Sequence, residues 1–248
     1  MIDLYRIRDR ISQWFRYPQP SRLEKHALGL YTDSFDLDFT ARRLAAETSA
    51  QYVIDHMRQA QNFPTDYDLH DWAVKQVDLD LLSPWGCGLI LEFGVATGRT
   101  INHFARRLPF NVIHGFDGFV GLPEHWTWRM RKGHFSQPLP RVRKNVDLHV
   151  GWFDATLDPF LRENTAPVAF LHIDSDLYSS AAFVLDRLAR RLRVGTIIVF
   201  DEYLNYPGWQ QDEYRAWQEV TQTWGIQYEY IGFVSRHQQV AVRITKAA

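Results

Sequence analysis

Four acidic side chains, Asp174, Asp176, Asp201 and Glu202, follow directly on two short apolar runs, 168–173 and 196–200. Carboxylates crowded into one small volume repel, so a proton or a cation must sit among them. Oxygen donors suit a hard divalent cation such as Mg²⁺, and no His/Cys cluster argues for zinc. A second group lies upstream. L-I-L-E-F-G-V-A-T-G, 89–98, places Gly94, Ala96 and Gly98 two residues apart after a buried run, with Glu92 just before them. Small residues there let backbone approach a ligand, and the following helix start offers free N–H groups. The spacing G-x-A-x-G departs from the dinucleotide fingerprint G-x-G-x-x-G. A carboxylate at Glu92 suits a ligand with an ammonium group and disfavours a pyrophosphate. Asp117 ends the next apolar run, where an acid can accept hydrogen bonds from ribose hydroxyls.

The elements that must position these groups read as an alternating α/β pattern. Strands are predicted at 89–93, 111–116, 146–150, 168–173 and 196–200, the last two being short apolar runs bounded by polar residues. A helix over 177–192 carries Leu177, Val184 and Leu188 at helical spacing, with Arg187, Arg190 and Arg191 near its end. Strand, helix, strand of this length makes a right-handed crossover in a parallel sheet. Neighbouring parallel strands about 4.8 Å apart would bring Asp174, Asp201 and Glu202 to one edge. Another helix is expected at 212–224. The strands at 228–233 and 239–244 are joined by a connection too short for a crossover, so the last must run antiparallel. The fold class is therefore α/β, a doubly wound, Rossmann-like sheet of seven strands, mostly parallel with the last reversed.

Residues 1–85 read as an N-terminal helical cap and 86–248 as the core, the whole forming one compact domain. In the cap, Leu4, Ile7, Ile11, Trp14 and Phe15 form one helical face, Tyr17–Ser21 breaks it, and further helices are expected at 39–57 and 66–82. These helices either cover the sheet or line a pocket or dimer contact. The chain has 248 residues, 46% of them hydrophobic, enough for one large α/β domain. A formal charge of −1 gives no electrostatic reason to expect nucleic acid or an anionic membrane as partner. The single cysteine, Cys87, rules out an intramolecular disulfide and reads as a small apolar residue. No apolar run is long enough to span a membrane, and the charged N-terminus lacks a signal-peptide core, so a cytoplasmic location is the expectation.

Four motifs in order, E-F-G-V-A-T-G (92–98), G-F-D-G-F-V-G-L-P-E (115–124), H-I-D-S-D-L-Y (172–178) and V-F-D-E-Y (199–203), resemble the class I S-adenosylmethionine-dependent methyltransferases. More narrowly, the chain is similar to the macrocin O-methyltransferase family, whose members methylate sugar hydroxyls of natural products with a divalent metal. The similarity runs from about Leu89 to Ile244. It implies that Glu92, Gly94, Ala96, Thr97 and Gly98 form the adenosylmethionine turn. Asp117 would bind the ribose, Gly118 and Phe119 would shape the next loop with Gly121 and Leu122, and Gly151, Trp152 and Phe153 would border the adenine. Asp174 would lie at the cofactor and, with Asp201 and Glu202, hold the metal, expected to be Mg²⁺; Asp176 matches the family's proposed general base. Ala96 replaces a commoner glycine, and Glu202 stands where some relatives carry Asp.

These readings lead to an O-methyltransferase acting on one hydroxyl of a vicinal diol, with the acceptor a sugar. A cation holding two neighbouring hydroxyls lowers the pKa of one, and Asp176 takes the proton. A catechol or other phenol as acceptor, and a non-catalytic nucleotide-binding module, stay open as alternatives, as does a homo-oligomer. Asp174 and Asp176 would otherwise be helix caps. His114 and His172 read as core residues. H-W-T-W-R-M-R-K-G-H-F, 125–135, is either an acceptor-binding loop, through Trp126, Trp128, Arg129, Arg131 and Lys132, or a solvated basic loop. Tyr203 and Tyr206 belong either to a lid or to local packing.

Overall fold

The computed structural model describes residues 37–78, 81, 88–127 and 129–248. The chain divides into two compact units, Met1–Ala41 and Arg42–Ala248, and the sheet lies in the second. The expected helix at 1–16, Cys87 and Trp128 lie outside the described residues.

In chain order the elements are α1 (Leu37–His56), β1 (Gln61–Phe63), α2 (Asp66–Lys75), β2 (Leu89–Phe93), α3 (Arg99–Arg107), β3 (Ile113–Asp117), β4 (Val146–Val150) and α4 (Phe153–Glu163). They continue as β5 (Val168–Ile173), α5 (Tyr178–Leu188), β6 (Ile197–Phe200), α6 (Glu213–Trp224), β7 (Gln227–Val234) and β8 (Val240–Lys246). The sheet has eight strands, ordered β1-β7-β8-β6-β5-β2-β3-β4. The expectation of seven misses β1, three residues that pair in parallel with β7 at the edge. A strand so short shows no alternation in the sequence, so residues ahead of Gly88 read as purely helical. β8 is the reversed strand, antiparallel to both β6 and β7. The helix expected at 66–82 stops at Lys75, capped at its start by Thr65, whose Oγ1 accepts from the Asp68 N–H at 3.2 Å.

β2, β5 and β6 are buried along their whole length. This is why they read as continuous apolar runs rather than alternating ones. Packing on one face is organised by a stack in which Phe116 lies between Phe93, 4.6 Å away, and His149, 4.5 Å away. Ile90, Ile101, Phe104 and Phe170 pack on the other face. From β2 the chain winds outward through β3 and β4, then returns to the far side of β2 as β5 and β6. The reversal falls between β2 and β5, the position where open α/β sheets leave a crevice at their carboxyl ends.

Candidate active site

A cavity of about 780 Å³ opens at that crevice, within the size range of small-molecule sites. Gly94, Ala96, Thr97, Asp117, Gly118, Trp152, Phe153 and Asp174, all expected at a cofactor, line it. Asp176 and Glu202 line it as well. Glu92, Gly98, Phe119, Gly151 and Asp201 do not border this cavity.

The turn after β2 is held from inside. Asp117 Oδ2 accepts the N–H groups of Val95 at 2.9 Å and Ala96 at 2.8 Å, and its Oδ1 accepts that of Phe119 at 2.7 Å. Two N–H groups of the turn are thus taken by the acid expected to bind ribose, which first of all organises the loop. Gly94 has φ +92°, and a Cβ there would lie 1.6 Å from the carbonyl oxygen of Asp174. Its smallness is needed for the approach of the β5 tip, not for a ligand. Ala96, Phe119 and Asp176 take left-handed backbone with φ +45°, +54° and +60°, conformations that ordinary residues hold only where surrounding contacts enforce them.

Oxygens of Asp174, Asp176 and Glu202 lie within 4.8 Å of one another. The expected ligand set was Asp174, Asp201 and Glu202; the structure groups Asp176 in place of Asp201. Asp201 faces the other side, where its Oδ1 accepts from Gln239 Nε2 at 3.0 Å and lies 3.9 Å from His172 Nε2. The period-two pattern of a strand ends at Phe200, so alternation could not say which of two adjacent acids faces the crevice.

Removal from water raises the proton affinity of Asp174 and Glu202, and the Asp201 charge adds to it. Asp176 is pushed up to about 7, mainly by burial and then by Asp201, Asp212 and Asp117. Burial also acts upward on Asp201, but pairing with His172 overcomes it and holds Asp201 below the usual carboxylate range. Burial would lower His172; Asp201 and Glu92 together raise it to about 10. Glu92 is fully buried 3.6 Å from His172 Nδ1. It therefore acts from beneath the turn, as a partner of a core histidine.

Neither Asp174 nor Asp176 caps α5, whose start has no side-chain cap bond. Trp126 Nε1 donates to Asp212 Oδ2 at 2.9 Å, and the Tyr206 hydroxyl donates to the same oxygen at 3.1 Å. These bonds, with Ser179 Oγ donating to Glu124 Oε1 at 2.6 Å, fasten the 123–135 segment across the chain. Lys132 and Phe135 of that segment line the cavity. Tyr203 is buried, with its hydroxyl 2.6 Å from that of Tyr230, and belongs to packing. Within α1, Ser49 Oγ accepts from the Asn205 N–H at 2.8 Å, and Thr48 Oγ1 accepts from Trp209 Nε1 at 3.1 Å. Those residues of α1 pack on the loop after β6 and do not line the cavity.

Sequence reasoning passed over Arg99, Asp154, Ser179, Ser180 and Phe183, which also line the cavity. It passed over Glu213 too, which is buried behind the acids. A glutamate in the first turn of a helix reads as a dipole partner, which hides any reach toward a site.

Residues 91–203 match the family model described as a methyltransferase domain. The chain carries an S-adenosylmethionine-dependent methyltransferase domain. That span holds every candidate residue from Glu92 to Glu202. Among solved structures, the chain is similar to CalS11, a calicheamicin methyltransferase, at 25% identity over 72% of this chain and 78% of that one, with a TM-score of 0.57. A further structure of CalS11, described as a TDP-rhamnose 3'-O-methyltransferase in calicheamicin biosynthesis, matches at 26% identity over the same shares with a TM-score of 0.50. The O-methyltransferase NovP shares the fold, at 19% identity over 84% of this chain and all of that one, with a TM-score of 0.54. No curated protein matches the sequence. With a methyltransferase domain in place, the alternative of a non-catalytic nucleotide-binding module falls. No helix among the described residues is long and apolar enough to cross a membrane.

Proposed function

We propose that this methyltransferase acts on a hydroxyl of a vicinal diol, on a sugar of a glycosylated small molecule, and that it uses a divalent cation, Mg²⁺ by preference. The observation that carries this reading is the meeting of Asp174, Asp176 and Glu202 oxygens within 4.8 Å, on the lining of the cavity that also holds the glycine turn. The fit to a cation rests on the donors themselves. They are all oxygens, Asp176 raises the proton affinity of Asp174 and both raise that of Glu202, and the buried Glu202 Oε2 has no hydrogen-bond partner. A hard cation supplies the charge such a group lacks.

Asp174 and Glu202 would hold the cation. Asp201, kept ionised by His172, would add to the potential that draws it. When bound, such a cation lowers the pKa of a coordinated hydroxyl, and S-adenosylmethionine supplies an electrophilic methyl group. Asp176, with its proton affinity near neutrality, would receive the hydroxyl proton on its carboxylate. The Asp117-anchored turn would fix the cofactor side of the cavity, and positioning of donor and acceptor would supply much of the rate. CalS11, which methylates a sugar by its description, supports the acceptor class. Phe135 and Trp152 are exposed at the cavity and would stack on a phenol as readily as on a sugar face, so a catechol is the second reading.

A mass-spectrometric screen of glycosides and catechols with S-adenosylmethionine tests both acceptor classes. Gain of one methyl group on a glycoside, abolished by EDTA and restored by Mg²⁺, is the expected result. Full activity in the chelator refutes the metal, and transfer to catechols alone refutes the sugar.

A further inference from the structure

Glu213 opens α6 and is fully buried. Its carboxylate reaches across to two other segments. Oε1 accepts the Ser175 N–H and Oε2 accepts the Glu202 N–H, both at 3.1 Å. Ser175 separates Asp174 from Asp176, and Glu202 follows Asp201, so one side chain ties together the two strand tips that bear the acids. The ladder between β5 and β6 pairs Ile173 with Phe200. It is extended by the Asp201 N–H donating to the Ile173 carbonyl at 2.8 Å. Beyond that bond the tips are joined by Glu213.

This placement is electrostatically costly. Burial and the Asp201 and Asp176 charges oppose ionisation of Glu213, while the Ser175 and Glu202 N–H groups favour it. A glutamine would remove the repulsion at nearly the same shape. It presents one acceptor and one amide NH₂, however, so one of the two N–H groups would face a donor. Only a carboxylate offers two acceptors at this separation, which accounts for an acid being kept among acids. Glu213 does not itself line the cavity, although Ser175 and Glu202 do.

We propose that Glu213 is a positioning residue: by bridging the Ser175 and Glu202 amides it sets the separation of the Asp174–Asp176 loop from Glu202, and so the affinity of these acids for a divalent cation. The proposal rests on the metal-dependent reading above. Partners placed behind metal ligands in this way change metal affinity by roughly 10–100-fold when altered.

Mn²⁺ serves as probe, titrated by electron paramagnetic resonance into wild type, Glu213→Gln and Glu213→Asp, alongside calorimetry with S-adenosylhomocysteine. The expected result is Mn²⁺ binding weakened by about 10–100-fold in Glu213→Gln, with S-adenosylhomocysteine affinity within about twofold of wild type. Glu213→Asp keeps the charge but falls one methylene short of spanning both amides, and it should also weaken Mn²⁺. It provides the measurement should the glutamine variant fail to fold. Unchanged Mn²⁺ affinity in a folded variant overturns the role of Glu213 and leaves the metal reading intact. Equal loss of Mn²⁺ and S-adenosylhomocysteine affinity overturns it too, because a merely structural defect would spread to both. Absence of Mn²⁺ binding in wild type overturns the metal reading itself and this proposal with it.

Discussion

Gly94 offers the sharpest perturbation. A Cβ at this position lies 1.6 Å from the Asp174 carbonyl oxygen and 2.7 Å from its carbonyl carbon. Both neighbours are backbone, so no rotamer change relieves the overlap. The tips of β2 and β5 must part by more than about 1 Å before the contact stops being repulsive. The φ of +92° adds a second cost, about 1–2 kcal/mol for an L-residue. Asp174 moves with its carbonyl, and a displacement near 1 Å at a reacting centre costs about 100-fold in rate. Gly94→Ala should therefore lower methyl transfer about 100-fold, weaken S-adenosylhomocysteine binding in calorimetry, and lower the melting temperature by roughly 2–8 °C or more. Gly225→Ala is the control. That residue also has left-handed backbone, φ +66°, but an added Cβ meets nothing within 4 Å. It should show the conformational cost alone, with turnover unchanged. Wild-type turnover and cofactor affinity in Gly94→Ala, or equal effects of the two substitutions, would refute the claim that this contact sets the Asp174 position.

Asp176→Asn should leave S-adenosylhomocysteine affinity within about twofold while turnover falls by about 10²–10⁴; turnover near wild type in a stopped-time methyl-transfer assay removes Asp176 as the proton acceptor. A pH effect is expected on β3, away from the acids. Burial first, and then His149, lower the His114 imidazole from 6.5 to about 4, against a weaker opposing pull from Asp147. Between these values the unfolded chain binds the extra proton, so the contribution of His114 is complete above pH 6.5 and is lost as the pH falls through 4. That contribution is about 3 kcal/mol. Urea unfolding at pH 7 and pH 4.5 should show a smaller acid loss in His114→Gln than in wild type, and equal losses would refute it.

Most of the sheet was legible because parallel strands buried on both faces write themselves as short, bounded apolar runs; 89–93 and 168–173 are found where they were expected. The reversed strand followed from the brevity of its connection. β1 was not legible, since Gln61, Asn62 and Phe63 carry no repeating signal and become a strand only by pairing with Gly232, Phe233 and Val234. The site divides in the same way. Asp174, Asp176 and Glu202 were visible as acids ending apolar runs. The turning of Asp201 toward His172 and Gln239 was not, because it is decided by β8 and by the core beneath, far away in sequence. Asp117 was found, but its grip on Val95 and Ala96 depends on a loop geometry that no spacing rule encodes. Glu213 was missed for the related reason that its partners lie 38 and 11 residues away.

A cluster of carboxylates can be a by-product of packing, and three features weigh against that here. Packing by itself leaves buried polar atoms satisfied, yet Glu202 Oε2 and Ser175 Oγ have no partner at the acids. Stability alone favours relaxed backbone, yet of the five non-glycine residues with left-handed backbone among those described, Ala96, Phe135 and Asp176 line this cavity. An acid tolerated only for its shape would be replaceable by its amide, yet Glu213 makes two bonds that an amide cannot make together. Unsatisfied donors and acceptors, strained backbone and an irreplaceable charge at one sheet edge are the arrangement expected when the missing interactions are supplied by bound cation, cofactor and acceptor.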